Sequence, residues 1–188
     1  MKKYKILTII IIVLVVLNIY QFQQSSSLNK KLENNFKMEL NASFGEAKEM
    51  LANELPTLIS RKEISRLEFD NIWHSSNNVL FGIDESLTFA NHYDIYSEEY
   101  YPKNTNKLAG EVQSFYRKFL NSNFQDNIES VPLSEKDIKY IKVLKELFES
   151  IGALTTPKAE LMNIEETLKK LNDISSNYEE KLKKIRLF

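Results

Sequence analysis

Seventeen residues, Ile6 to Phe22 (ILTIIIIVLVVLNIYQF), carry no charged side chain and follow a short stub, Met1-Lys-Lys-Tyr-Lys5, with three lysines. As a helix rising 1.5 Å per residue they reach roughly 25 Å. That approaches the ~30 Å of a bilayer core when Tyr4, Tyr20 and Phe22 sit at the interfaces. A cleaved signal peptide shares the basic stub and the strictly apolar run Ile6 to Leu17. Cleavage, however, favours small residues of the Ala-x-Ala kind; the first alanine is Ala42, and Ser25-Ser26-Ser27 is a poor substitute. The stretch 6–22 is therefore expected to be a retained transmembrane signal-anchor.

Charge sets the orientation. Lys2, Lys3 and Lys5 flank one end of the run, whereas a neutral stretch, Gln23 to Asn29, separates the other end from Lys30 and Lys31. The positive-inside rule places residues 1–5 in the cytoplasm as a stub and residues 25–188 outside. With so short a stub, a transmembrane kinase or chemoreceptor output domain is not expected on the cytoplasmic side. The formal charge of −1 becomes −4 once the three stub lysines are set aside. Such a surface suits neither nucleic acid nor, by charge alone, anionic lipid. The absence of cysteine removes disulfides, thiolate metal sites and thiol nucleophiles. Abundant Lys, Asn and Ile suggest an AT-rich bacterial genome.

Four glycines and four prolines are too few for a sandwich or barrel, which turns every ~8–12 residues. Pro56, Pro102, Pro132 and Pro157 instead divide the outer chain into blocks of helical periodicity. Leu28, Leu32, Phe36, Leu40, Phe44, Ala47, Leu51 and Leu55 form one stripe. Ser60 with Glu63 predicts a capping box opening a second helix, carried by Ile64, Leu67, Ile72, Val79, Ile83, Leu87 and Ala90 and read as one long helix whose weak point, open to a kink or a break, is Ser75 to Gly82. Leu108, Val112, Phe115 and Phe119 predict a third helix over 104–121. Ser134 with Asp137 predicts the start of a fourth, and Gly152 its stop. Leu161, Ile164, Leu168, Leu171, Ser175, Tyr178, Leu182 and Ile185 give a heptad helix over 158–186. The fold class expected is all-α: a single transmembrane helix, then an elongated antiparallel bundle of four to five helices. The heptad seam either closes that bundle, the favoured reading, or forms a homodimer.

Candidate chemistry is sparse. His92 and Asp94 offer ligand types side by side, but no H-E-x-x-H pattern accompanies them and a catalytic zinc needs three protein ligands; a metal role is rejected, and no cofactor is expected. His74, beside Trp73, reads as a partly buried helix residue. Asp84-Glu85, Glu98-Glu99 and Glu165-Glu166 are adjacent pairs that diverge on a helix, where glycoside hydrolysis needs two carboxylates ~5–9.5 Å apart across a cleft. No nucleophile elbow or phosphate-binding glycine loop occurs. The most distinctive composition is the connection after the second helix, where four of the nine tyrosines, Tyr93, Tyr96, Tyr100 and Tyr101, fall among acids. Such rings either cover one end of the bundle or offer rigid amphipathic contact area to a partner; these four are the candidate contact residues.

The sequence thus predicts a non-enzymatic, membrane-anchored extracytoplasmic interaction module, a scaffold, adaptor or modulator of an envelope complex, partnered by another envelope or membrane protein. An envelope hydrolase and a ligand-sensing bundle are the alternatives.

Overall fold

The apolar stripe of the first block meets a core only from Phe36 onward. In the computed structural model, which describes the backbone of residues 2–124 and 128–187 and the side chains of 13–49, 54–124 and 128–185, helix α1 runs Lys2–Glu46. Phe36, Leu40, Phe44 and Ala47 are wholly buried, while Leu28 is 56% exposed. Every described residue from Val13 to Lys31 is exposed. Among the described residues no helix is long and apolar enough to cross a membrane. Of the expected span, the side chains of 6–12 lie outside the described residues; those from Val13 to Phe22 lie on α1.

A π-helical turn, Ala47–Leu51, joins α1 to α2, Ala52–Arg61. Pro56 falls inside α2 instead of at a helix boundary. It cannot donate to the carbonyl four residues back, and the widened turn just before it is the usual local adjustment to such a defect. Helix α2 ends on Lys62, whose φ of 58° lets its N–H reach the Leu58 carbonyl at 2.9 Å, an αL cap built without glycine.

The capping box lies five residues beyond its expected place. Ser60 sits in the last turn of α2, its hydroxyl donating to the Thr57 carbonyl, and Glu63 begins a short strand. The box is Ser65 with Glu68, opening α3, Arg66–His92. This helix passes through Ser75 to Gly82 unbroken. Its serines are absorbed by packing: Ser76 is buried and its hydroxyl lies 2.9 Å from that of Tyr116. Gly82 lies against α1, where a Cβ would stand 2.9 Å from Ser43 Oγ.

Helix α4, Thr105–Asn123, and helix α5, Glu135–Gly152, follow, the latter opened by the expected Ser134–Asp137 box. Strands β1, Glu63–Ser65, and β2, Ser130–Pro132, pair antiparallel with Ile64 opposite Val131, a two-stranded ladder that no alternation announced. The final helix, α6, spans Ile164–Leu187 and so starts later than residue 158. Ala159–Leu161 is a 3₁₀ turn; Leu161 is 70% exposed and Met162 takes the buried place instead. From Leu168 to Ile185 the heptad seam is buried, and α6 packs on α4 and α5 of the same chain.

Side-chain contacts give each helix a direction. Phe36 meets Tyr96 and Ser43 meets Gly82, so α1 and α3 are antiparallel. Phe69, early in α3, stacks on Phe119, late in α4, the Ser150 hydroxyl lies 3.1 Å from that of Tyr178, and Lys169, early in α6, lies over Tyr100, just before α4. Helices α4 and α6 consequently run the same way and touch, so the all-α bundle is not purely antiparallel. One end, where α1 enters, gathers the connections 93–104 and 153–163; the other gathers α2, the β ladder and the start of α5.

Candidate functional site

The connection between α3 and α4 begins with a Schellman turn. Tyr93 is the C-cap of α3; Asp94 takes φ 50°; the Ile95 N–H reaches back to the Ala90 carbonyl at 2.9 Å, and the Asp94 N–H to that of Asn91. This is the hydrogen-bond pattern of a left-handed helix terminus. Ile95 then packs against the core, supplying the apolar contact that accompanies the motif. Asp94 is thus a terminator, a residue type that tolerates the αL region.

The four tyrosines separate into two groups. Tyr96 is half-buried: its hydroxyl donates to the Leu87 carbonyl at 3.1 Å and its ring lies 5.9 Å from that of Phe36. Burial, followed by the proximity of Tyr101, pushes its phenol up from the ordinary tyrosine value. Tyr101 packs on the same core. Tyr100, closing the 3₁₀ turn Glu98–Tyr100, lies under the Lys169 ammonium at 5.5 Å. Its phenol is raised by hydrogen bonding to Glu99 and then by the charge of Glu165. Tyr93 faces outward, 48% exposed, braced by Phe89 at 4.7 Å and by His92 at 4.9 Å between ring centroids. Three of these rings cover the end of the bundle, and one presents itself to solvent.

His92 and Asp94 are both exposed. Among the described residues no group of three His, Cys, Asp or Glu side chains could hold a metal ion. His74 lies alongside Trp73, with ring planes 15° apart. Asp84, half-buried, has its carboxyl raised by burial and then by Glu85, but Glu85, Glu98, Glu99, Glu165 and Glu166 are exposed. The core itself leaves an apolar interstice of about 10 Å³ lined by Leu55, Phe69, Ile72, Tyr116, Phe119 and Leu144, room for about one water molecule. A shallower groove of about 260 Å³ lies between α4 and α5, floored by Phe115 stacked on Tyr140 at 3.7 Å. None of the three carboxylate pairs lines either space.

A polar contact that the sequence did not flag ties this end together. The Asn41 side chain on α1 accepts from the Thr156 N–H at 2.8 Å and donates to the Thr156 carbonyl at 3.1 Å, so one amide satisfies both backbone groups of a residue in the 153–163 connection. No protein-family model, curated protein or solved structure matches the chain.

Proposed function

We propose that this protein is a non-enzymatic, membrane-anchored interaction module of the bacterial cell envelope, its bundle held outside the membrane as a scaffold, adaptor or modulator of a neighbouring complex. One observation carries the reading. The helix that supplies Phe36, Leu40 and Phe44 to the core also carries Val13 to Leu17, Ile19, Tyr20 and Phe22, 51% to 76% exposed on every side. A helix apolar all round is at home in lipid. Between these two parts the residues Gln23 to Lys31 are polar apart from Leu28, as a stretch outside the bilayer would be. The stub lysines orient it with the bundle outside.

The interaction surface in this reading is the aromatic and acidic connection at Tyr93, a rigid ring on a fixed helix end. The seam of α6 is engaged within the chain, which favours bundle closure over a homodimer. The reading is tested by expressing the full chain and a chain lacking residues 1–24 with a C-terminal tag. The full chain should remain in alkali-washed membranes, and its tag should be digested by protease added to intact spheroplasts. Recovery of the full chain in the soluble fraction, or a protected tag, would overturn it.

A further inference from the structure

We infer that the Tyr93 surface faces back toward the membrane, and that its partner is another protein rooted in the same bilayer, presenting a basic segment close to the lipid surface. The inference rests on the anchoring proposed above and adds to it the direction of the site and the class of partner.

The chain enters the bundle at the end that carries Tyr93. Phe36, the first wholly buried residue among those described on α1, lies against Tyr96, and Asn41, just beyond it, holds Thr156. The connections 93–104 and 153–163 are therefore level with the first buried turns of α1. Phe22, the last residue of the apolar run, is fourteen positions before Phe36, about 21 Å along a helix. The opposite end, reached by the 27 residues of α3, is about 40 Å further out. If the polar stretch bends, the order of the two ends is unchanged, because the chain still enters at Phe36.

A gap of about 20 Å is narrower than a small folded domain, about 30 Å across. A segment rising from the same membrane fits it; a free globular protein has to approach from the side. The exposed charges of the two connections, Asp94, Glu98, Glu99 and Glu160 against Lys103 and Lys158, leave an acidic excess beside Tyr93, which the mixed charges opening α4 and α6 (Lys107, Glu165, Glu166, Lys169 and Lys170) do not enlarge, and Lys169 already covers the Tyr100 ring. Such a surface is repelled by anionic headgroups and complements lysines and arginines. Tyr93, exposed next to Asp94, supplies the aromatic contact.

The chain contains no cysteine, so single-cysteine variants of the full chain can be labelled cleanly. Tyr20→Cys, Asn91→Cys and Lys139→Cys, each carrying a fluorophore and reconstituted in phosphatidylcholine–phosphatidylglycerol vesicles, are read against a headgroup quencher. The expected order of quenching is position 20, then 91, then 139. An unquenched position 20 sinks the anchoring itself. A quenched position 20 with position 91 no closer than 139 sinks only the orientation. A photocrosslinker at Tyr93 in native membranes should then give an adduct with an integral membrane protein, lost when Asp94, Glu98 and Glu99 are changed to lysine while the helical melt stays close to that of the parent. Crosslinking to lipid, to a soluble protein or to nothing would each overturn the inferred partner class.

Discussion

A Cβ placed on Gly152 would lie 2.7 Å from Lys48 Cβ and 2.9 Å from Lys48 Cα. Gly152 was expected to stop α5 through its conformational freedom, yet no glycine among the described residues has a positive φ. It is required for proximity: the end of α5 rests on the backbone of the π turn after α1. Gly152→Ala should therefore push α5 off that turn and lower stability by about 1–3 kcal/mol, as overpacking does. Gly110, an exposed position inside α4 where a Cβ meets nothing, is the opposite case; Gly110→Ala should add up to about 1 kcal/mol from helix propensity. Urea unfolding of both variants checks the pair, and equal midpoints would contradict the packing argument.

Asp94 holds the left-handed position of the Schellman turn, with φ 50°. Replacing it with glycine should leave stability unchanged or raise it slightly, whereas Asp94→Ala should cost about 1 kcal/mol, because a Cβ without a compensating polar group is unfavourable there. Hydrogen exchange at the Ile95 amide, which bonds Ala90, reports the turn directly. Faster exchange in the glycine variant than in the alanine variant would argue against a conformational role.

What the sequence revealed and what it concealed follow from the range of the interactions. Periodicity exposed the helices because burial repeats along them: Leu168, Leu171, Tyr178 and Leu182 are buried in the fold as their spacing requires. The Ser134–Asp137 box was readable because both partners lie within three residues. Ser60 and Glu63 matched the same pattern by chance, and nothing local could show that a proline tolerated by a π turn would carry α2 through Ser60. The Asn41–Thr156 contact spans 115 residues and has no signature in either segment. For the tyrosines the cluster was visible, but which ring turned inward depended on Phe36, sixty positions before Tyr96.

Glu68 joins the end of α2 to the start of α3. Its carboxylate accepts from Arg61 at 2.6 Å and from the Ser65 N–H at 2.9 Å. The Arg61 hydrogen bond foremost, with Ser65 helping and burial opposing, holds its pKa down to about 2. A carboxyl lowered on folding contributes stability that is complete above its unfolded value near 4.3 and fades as the pH falls toward 2. Arg61 and Glu68 are 43% and 37% exposed, and this screening limits the contribution to about 1 kcal/mol. Glu68→Gln keeps a capping side chain but not the charge. It should lower stability at pH 7 by about that amount and flatten the loss between pH 4.5 and 2.5. Parallel denaturation curves at the two pH values for parent and variant would count against this account.

Ser175 sits in the α6 seam, 1% exposed, and its hydroxyl has no hydrogen-bond partner among the described residues. Burying such a group unpaired costs about 1–3 kcal/mol, and serine is a weaker helix former than alanine. Ser175→Ala removes only one oxygen, so little cavity remains. Stability should rise by about 1 kcal/mol, visible as a higher urea midpoint with an unchanged slope. A lower midpoint would show that the hydroxyl has a partner after all.

Tyr93 and Tyr96, three residues apart, should respond in opposite ways to truncation. The Tyr96 ring fills space beside Phe36 and its hydroxyl meets the Leu87 carbonyl, so Tyr96→Ser removes half-buried aromatic surface and should cost about 2 kcal/mol. Tyr96→Phe keeps the ring and loses one hydrogen bond, worth about 1 kcal/mol. Among the described residues the rings that Tyr93 touches are Phe89 and His92, and Tyr93→Ser should stay within about 0.5 kcal/mol of the parent. Capture of a membrane partner should fail with Tyr93→Ser at an unchanged melt. A Tyr96→Ser protein that melts like the parent would instead assign Tyr96 to the contact surface and remove it from the core.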